Sequence, residues 1–252
     1  MSRTELCFER DGLRIYGELS VPETLIRQKQ FPLVILCHGF SGTHQKVAGY
    51  TERLLEEGIA VYAFDFCGGG KGCQSSGSSV NMSVLTNLKD LETVLEGITR
   101  QQFCDPDHLF LMGESQGGLV CALAAARHVN LVRSLILFYP AFNIPDVCRK
   151  SFPDPRKVPE SYETLGMTIG RPYYDDAVNL DVWDVVGKYD RPVLILHGTK
   201  DHIVPYEWSE KALQIYRDAQ LIPVKDSDHG FHGKDEINAC HIATEFIRSH
   251  LS

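Results

Sequence analysis

The stretch His108-Leu-Phe-Leu-Met-Gly-Glu-Ser-Gln-Gly-Gly118 carries an apolar run into a serine with Gly113 two residues before it and Gly117 two residues after. The alanine-rich segment Leu119-Val-Cys-Ala-Leu-Ala-Ala-Ala126 follows at once. An apolar run followed by such a segment reads as a strand turning directly into a helix. Small residues on both sides of the serine suit a sharp turn, because a Cβ there would collide with the neighbouring backbone. The serine then stands at the crest, as in a nucleophile elbow. A glycine-rich loop with an incidental serine has the same pattern, so the rest of the chain must decide.

Working outward, strand and helix patterns alternate. Residues 4–9 and 13–19 alternate apolar and polar around Asp11-Gly12, the signature of an antiparallel hairpin. Continuous apolar runs at 31–37, 59–64, 108–112, 131–138, 192–196 and 219–224 suit strands buried on both faces. Helical spacing at 47–57, 84–98, 119–128, 206–217 and 237–250 falls between and after them. With the hairpin this predicts an α/β fold around an eight-stranded, mostly parallel sheet covered by helices on both faces. Residues 142–189 break the rhythm with five prolines and a set of aromatics that includes Tyr162, Tyr173, Tyr174 and Trp183. So long a link is a functional lid or disorder, and its aromatic content argues for a small cap inserted into a single domain spanning 1–252.

The 252 residues are 43% hydrophobic and carry a formal net charge of −8, which argues against nucleic-acid or anionic-membrane partners. No signal-like leader or membrane-length apolar run is seen, so a cytoplasmic location is expected. The eight cysteines are scattered without a C-x-x-C pair and read as reduced thiols. A homodimer stays open.

A serine at an elbow needs a base, and the base needs an orienting acid. In open α/β sheets such groups collect at the carboxyl ends of the strands. One late strand ends in His197-Gly-Thr-Lys-Asp201 and the last in Lys225-Asp-Ser-Asp-His229-Gly-Phe231. The order Ser115, Asp201, His229, each just past a predicted strand, is that of a nucleophile–acid–base triad on this type of sheet. Asp201 also fits a turn cap, and Asp226 and Asp228 are rival acids on the loop of His229 itself. Backbone N–H groups for an oxyanion are expected from Gln116, after the nucleophile, and from Phe40 in His38-Gly-Phe40, with Gly39 keeping that loop slim. His38 reads as a brace for the loop.

Other patterns carry less. Gly68-Gly-Gly-Lys-Gly72 lacks the spacing of a phosphate loop. His229 and His232 lack a third ligand pattern, so no metal is expected, and no cofactor.

His38-Gly-Phe40, Gly113-Glu-Ser-Gln-Gly117, His197-Gly-Thr-Lys-Asp201 with Val204-Pro205, and Asp228-His229-Gly230 together resemble the α/β-hydrolase superfamily over almost the whole chain. More narrowly, Gly170-Arg-Pro-Tyr-Tyr-Asp-Asp-Ala177 and the 60–66 segment ending in Asp65-Phe66 resemble bacterial cinnamoyl (feruloyl) esterases, which cleave hydroxycinnamate esters of plant cell-wall sugars. That resemblance implies a cap over an aromatic acyl pocket, with a cap tyrosine near the phenolic end of the substrate: Tyr173 by position, or Tyr174. The expected function is a serine carboxylic-ester hydrolase acting on a small-molecule ester. The alternatives are a short-acyl carboxylesterase or monoacylglycerol-type lipase and, in a different class, a non-catalytic binding protein of the same fold.

Overall fold

The side chains of the central strands alternate between two separate cores. In the computed structural model, which describes residues 1–251, Leu33, Ile35, Leu109, Leu111, Leu135 and Leu137 face one core. Val34, Leu36, Phe110, Met112, Ile136 and Phe138 face the other. A strand apolar at every position can do this only if both sheet faces are covered, which is what the uninterrupted runs imply.

The chain begins with β1 (Ser2–Glu5), β2 (Phe8–Arg10), β3 (Leu13–Ile15) and β4 (Gly17–Val21). One hairpin is expected here, and the register agrees: Ser2 pairs with Val21 and Phe8 with Ile15, a single alignment interrupted between the two ladders. Asp11 and Gly12 turn it with φ of 53° and 76°, positive at both central residues as a tight hairpin turn requires. Next come β5 (Phe31–Cys37), α1 (Ala48–Glu56), β6 (Ala60–Phe64), α2 (Val84–Thr99), β7 (Cys104–Glu114), α3 (Ser115–Arg127) and β8 (Ser134–Phe138). An insertion follows, with α4 (Ile144–Ser151), the hairpin β9 (Ser161–Thr164) and β10 (Met167–Gly170), α5 (Arg171–Val178) and α6 (Val182–Val186). The main sheet resumes with β11 (Val193–Gly198), α7 (Glu207–Ile215), β12 (Ala219–Val224) and α8 (Lys234–Ser249).

The sheet has eight strands in the order β1-β4-β6-β5-β7-β8-β11-β12. The β1–β4 and β4–β6 pairings are antiparallel and all others parallel. Helices α1 and α8 pack together on one face, and α2 and α3 on the other. The carboxyl ends of β5, β7, β11 and β12 therefore open along one edge, and the loops leaving them build the site.

Candidate active site

Ser115 is the first residue of α3 and directly follows β7, with φ of +50°. The flanking glycines let the chain make that turn. A Cβ on Gly113 would lie 2.5 Å from the Gly117 carbonyl oxygen, and one on Gly117 would lie 2.4 Å from that of His38. Both approaches are closer than a carbon atom can come, so neither position admits alanine without moving backbone.

The loops after β11 and β12 bring their side chains to this serine. His229 Nε2 is 3.0 Å from Ser115 Oγ, and His229 Nδ1 is 2.7 Å from Asp201 Oδ2. The carboxylate can only accept, so Nδ1 carries the hydrogen and Nε2 is left to accept from the serine hydroxyl. Asp201 Oδ1 takes the N–H groups of Ile203 and Val204 at 2.9 and 2.8 Å. The rival acids are used elsewhere: Asp228 accepts the N–H of His229 itself and Asp226 pairs with Lys200.

A neighbour that sequence reasoning passed over completes the Asp201 environment. His197 is fully buried at the end of β11, with Nε2 2.8 Å from the Val204 carbonyl and 3.2 Å from Asp201 Oδ2. The carbonyl fixes Nε2 as the donor, so Nδ1 accepts from Ser209 Oγ at 2.6 Å. Burial opposes ionisation of Asp201, but hydrogen bonds from His197, His229 and the Val204 N–H outweigh it and hold the carboxyl well below the usual range.

On the β5 side, His38 braces its loop as expected. Its Nδ1 donates to the Gly39 carbonyl at 2.8 Å and its Nε2 accepts the Phe66 N–H at 3.1 Å. A Cβ on Gly39 would lie 3.2 Å from Ser115 Cβ, so the loop is as slim as its contact with the serine demands. Among the described residues no acceptor takes the backbone N–H of Phe40 or of Gln116.

Glu114, to which the sequence pattern assigns no role, ties these parts together. Oε1 accepts the Gly39 N–H at 3.2 Å and Oε2 accepts the Tyr139 hydroxyl at 2.7 Å. The Tyr139 ring in turn lies edge-on to His229, 4.8 Å between centroids. Burial pushes the Glu114 carboxyl up, against the opposing pull of those two hydrogen bonds. An acidic residue directly before the elbow serine is the signal the sequence offers.

Two cavities meet at Ser115. The larger, about 430 Å³, is walled by Glu114, Tyr139, His229, His232, Lys46 and Glu236. The smaller, about 340 Å³, lies under the insertion and is mostly apolar, with Ile144, Val147, Cys148, Ile169, Tyr162 and Tyr173 in its wall. Tyr173 reaches this wall, yet its hydroxyl donates to Gln116 Oε1 at 2.6 Å, beside the elbow. Tyr174 turns away and donates to the Phe152 carbonyl at 3.1 Å, so the structure does not bring it to the cavity. The insertion tyrosine with an uncommitted hydroxyl there is Tyr162, which has no hydrogen-bond partner among the described residues.

Comparison with known proteins agrees with this fold. A family profile described as "Serine aminopeptidase, S33" matches residues 28–167, more than half of the chain, and one described as "TAP-like protein" matches 175–249. The chain is 28% identical to the uncharacterized protein YfhR of Salmonella typhi, over 87% of this chain and 72% of that one. It is 23% identical to the human acylamino-acid-releasing enzyme, over 82% of this chain but only 28% of that enzyme. Among solved structures, Est1E from Butyrivibrio proteoclasticus with ferulic acid bound superposes with a TM-score of 0.88 at 28% identity, covering 98% of this chain and 99% of that one. With its elbow, its sheet and these matches, the chain belongs to the serine aminopeptidase S33 family of α/β-hydrolases.

Proposed function

We propose that this hydrolase is a serine esterase that cleaves carboxylic esters of aromatic, hydroxycinnamate-type acids. The observation that carries the reading is the chain of contacts Ser115 Oγ–His229 Nε2 and His229 Nδ1–Asp201 Oδ2, opening where the two cavities meet. His229 takes the proton of Ser115 as the serine attacks the ester carbonyl. Asp201 holds the imidazole in the required tautomer and stabilises the imidazolium. The free N–H groups of Phe40 and Gln116 receive the tetrahedral oxyanion. His229 then protonates the leaving alcohol, and water attacks the acyl-enzyme by the same route in reverse.

The cavities divide the substrate. The leaving alcohol must receive its proton from His229, which lines the larger cavity and not the smaller one. The acyl group therefore occupies the apolar cavity under the insertion, which then acts as a cap. Likeness to a structure holding ferulic acid supports an aromatic acyl group, and Tyr162 is the cap tyrosine free to bond its phenol. A short-acyl carboxylesterase is the second reading, favoured by the committed hydroxyls of Tyr173 and Tyr174.

Hydrolysis of methyl ferulate beside p-nitrophenyl butyrate, with Ser115→Ala as the blank, tests both. Ferulate turnover lost in the variant supports the first reading, and butyrate turnover alone supports the second. Ser115→Ala should reduce turnover by about 10⁶-fold. A wild-type protein that cleaves neither and is not labelled by a fluorophosphonate would be a binding protein of this fold.

A further inference from the structure

Two hairpins in this molecule turn through a two-residue loop with positive φ at both central residues. One is Asp11-Gly12, and the other is Leu165-Gly166, with φ of 46° and 77° between Thr164 and its partner Met167. Asp-Gly is a preferred pair for such a turn, since a short polar side chain tolerates the left-handed region. Leucine does not: its Cβ and branched side chain are strained there. The same residue is 66% exposed, the highest value among the large apolar residues of the described chain, and it packs against neither core. Leu165 is thus unfavourable twice over, and the hairpin's register would be kept equally well by asparagine.

The position of that leucine supplies a reason. Leu165 is one of four residues that wall both cavities, with Phe40, Ser115 and Ile203. The stem of its hairpin is fixed from behind. Ser79 Oγ donates to the Thr168 carbonyl at 2.6 Å, and Gly170 passes so close to Val80 that a Cβ would lie 1.9 Å from its carbonyl oxygen. A fixed stem therefore holds an exposed, strained leucine at the junction where the serine stands. Strain of this kind persists where function selects it.

We infer that Leu165 is a specificity-determining residue whose side chain closes over the acyl group of a bound ester. A bulky apolar acyl group gives it the contact that the free protein lacks, and a small acyl group leaves it in water. This rests on the esterase reading above.

Leu165→Asn tests it with two readouts of opposite sign. The melting temperature should rise by about 2–4 °C, because asparagine relieves the turn. The ratio of kcat/KM for a cinnamate ester to that for an acetate ester of the same alcohol should fall about tenfold, chiefly through KM. Leu165→Met, which keeps the apolar reach, should retain the wild-type ratio. An unchanged ratio in the asparagine variant of an active protein overturns the inference alone. A wild-type protein whose Ser115 is not labelled by a small fluorophosphonate overturns the esterase reading, and the inference with it.

Discussion

The phenol of Tyr173 donates to Gln116 Oε1 across 2.6 Å, while its ring meets that of Phe40 nearly at right angles, 5.8 Å between centroids. One side chain of the insertion therefore touches both residues whose backbone N–H groups stand free beside the serine. Gln116 is held from the other side as well, its amide nitrogen donating to Asn87 Oδ1 at 2.8 Å.

Tyr173→Phe should therefore act on the rate of the chemical step more than on binding. The ring contact survives, but a buried acceptor is left unpaired, at about 1–3 kcal/mol. Steady-state kinetics should show kcat down roughly tenfold with KM little changed, because the free N–H groups matter most in the transition state. A change confined to KM would mean that the phenol reads substrate instead.

Asp201→Asn should reduce kcat by about 10⁴-fold, since the amide allows the wrong imidazole tautomer to form. The same change in either rival, Asp226→Asn or Asp228→Asn, should cost far less, because each holds loop structure and neither touches the ring of His229. Comparing the three variants with one ester separates them.

Glu114 gives a pH test of stability. Its carboxyl is pushed up in the folded protein, so the folded state binds this proton more tightly than the unfolded chain. Its contribution is most favourable below the ordinary carboxylate range and declines as pH rises through the raised folded value. Glu114→Gln removes that titration and keeps an acceptor for Gly39. Urea midpoints should therefore move in favour of the glutamine variant between acidic and neutral pH, and parallel curves would contradict the assignment.

Tyr162→Phe should lower kcat/KM for a 4-hydroxycinnamate ester by about tenfold relative to the plain cinnamate ester, the cost of one lost hydrogen bond to a phenol. Tyr174→Phe should leave that ratio unmoved, as its hydroxyl is bonded to Phe152 outside the cavity.

These expectations divide along the line between what is local in sequence and what is not. The elbow, the strand ends and the loops carrying Asp201 and His229 announce themselves in short segments, because a strand that ends in the sheet delivers its next residues to one edge. The tyrosines of the insertion do not. Tyr162, Tyr173 and Tyr174 lie within one short stretch of the insertion, and their directions are set by packing against Phe152, Phe40 and the elbow. His197 gives no signal of its own beyond its motif, since its value lies in a contact with Asp201 four residues later that folds back after the strand. Glu114 is silent for the same reason: its partners, Gly39 and Tyr139, lie on other loops.

The helix that begins at Ser115 has a further electrical consequence. Thirteen residues of α3 run away from the serine, and their aligned peptide dipoles leave the equivalent of about half a positive charge at its first turn. That turn contains no acidic side chain to cancel it. The residue just before that turn is Glu114, whose carboxyl is already engaged by the Gly39 N–H and the Tyr139 hydroxyl. Negative charge forming at the serine therefore meets a standing field already pointed at it, which no solvent rearrangement has to create.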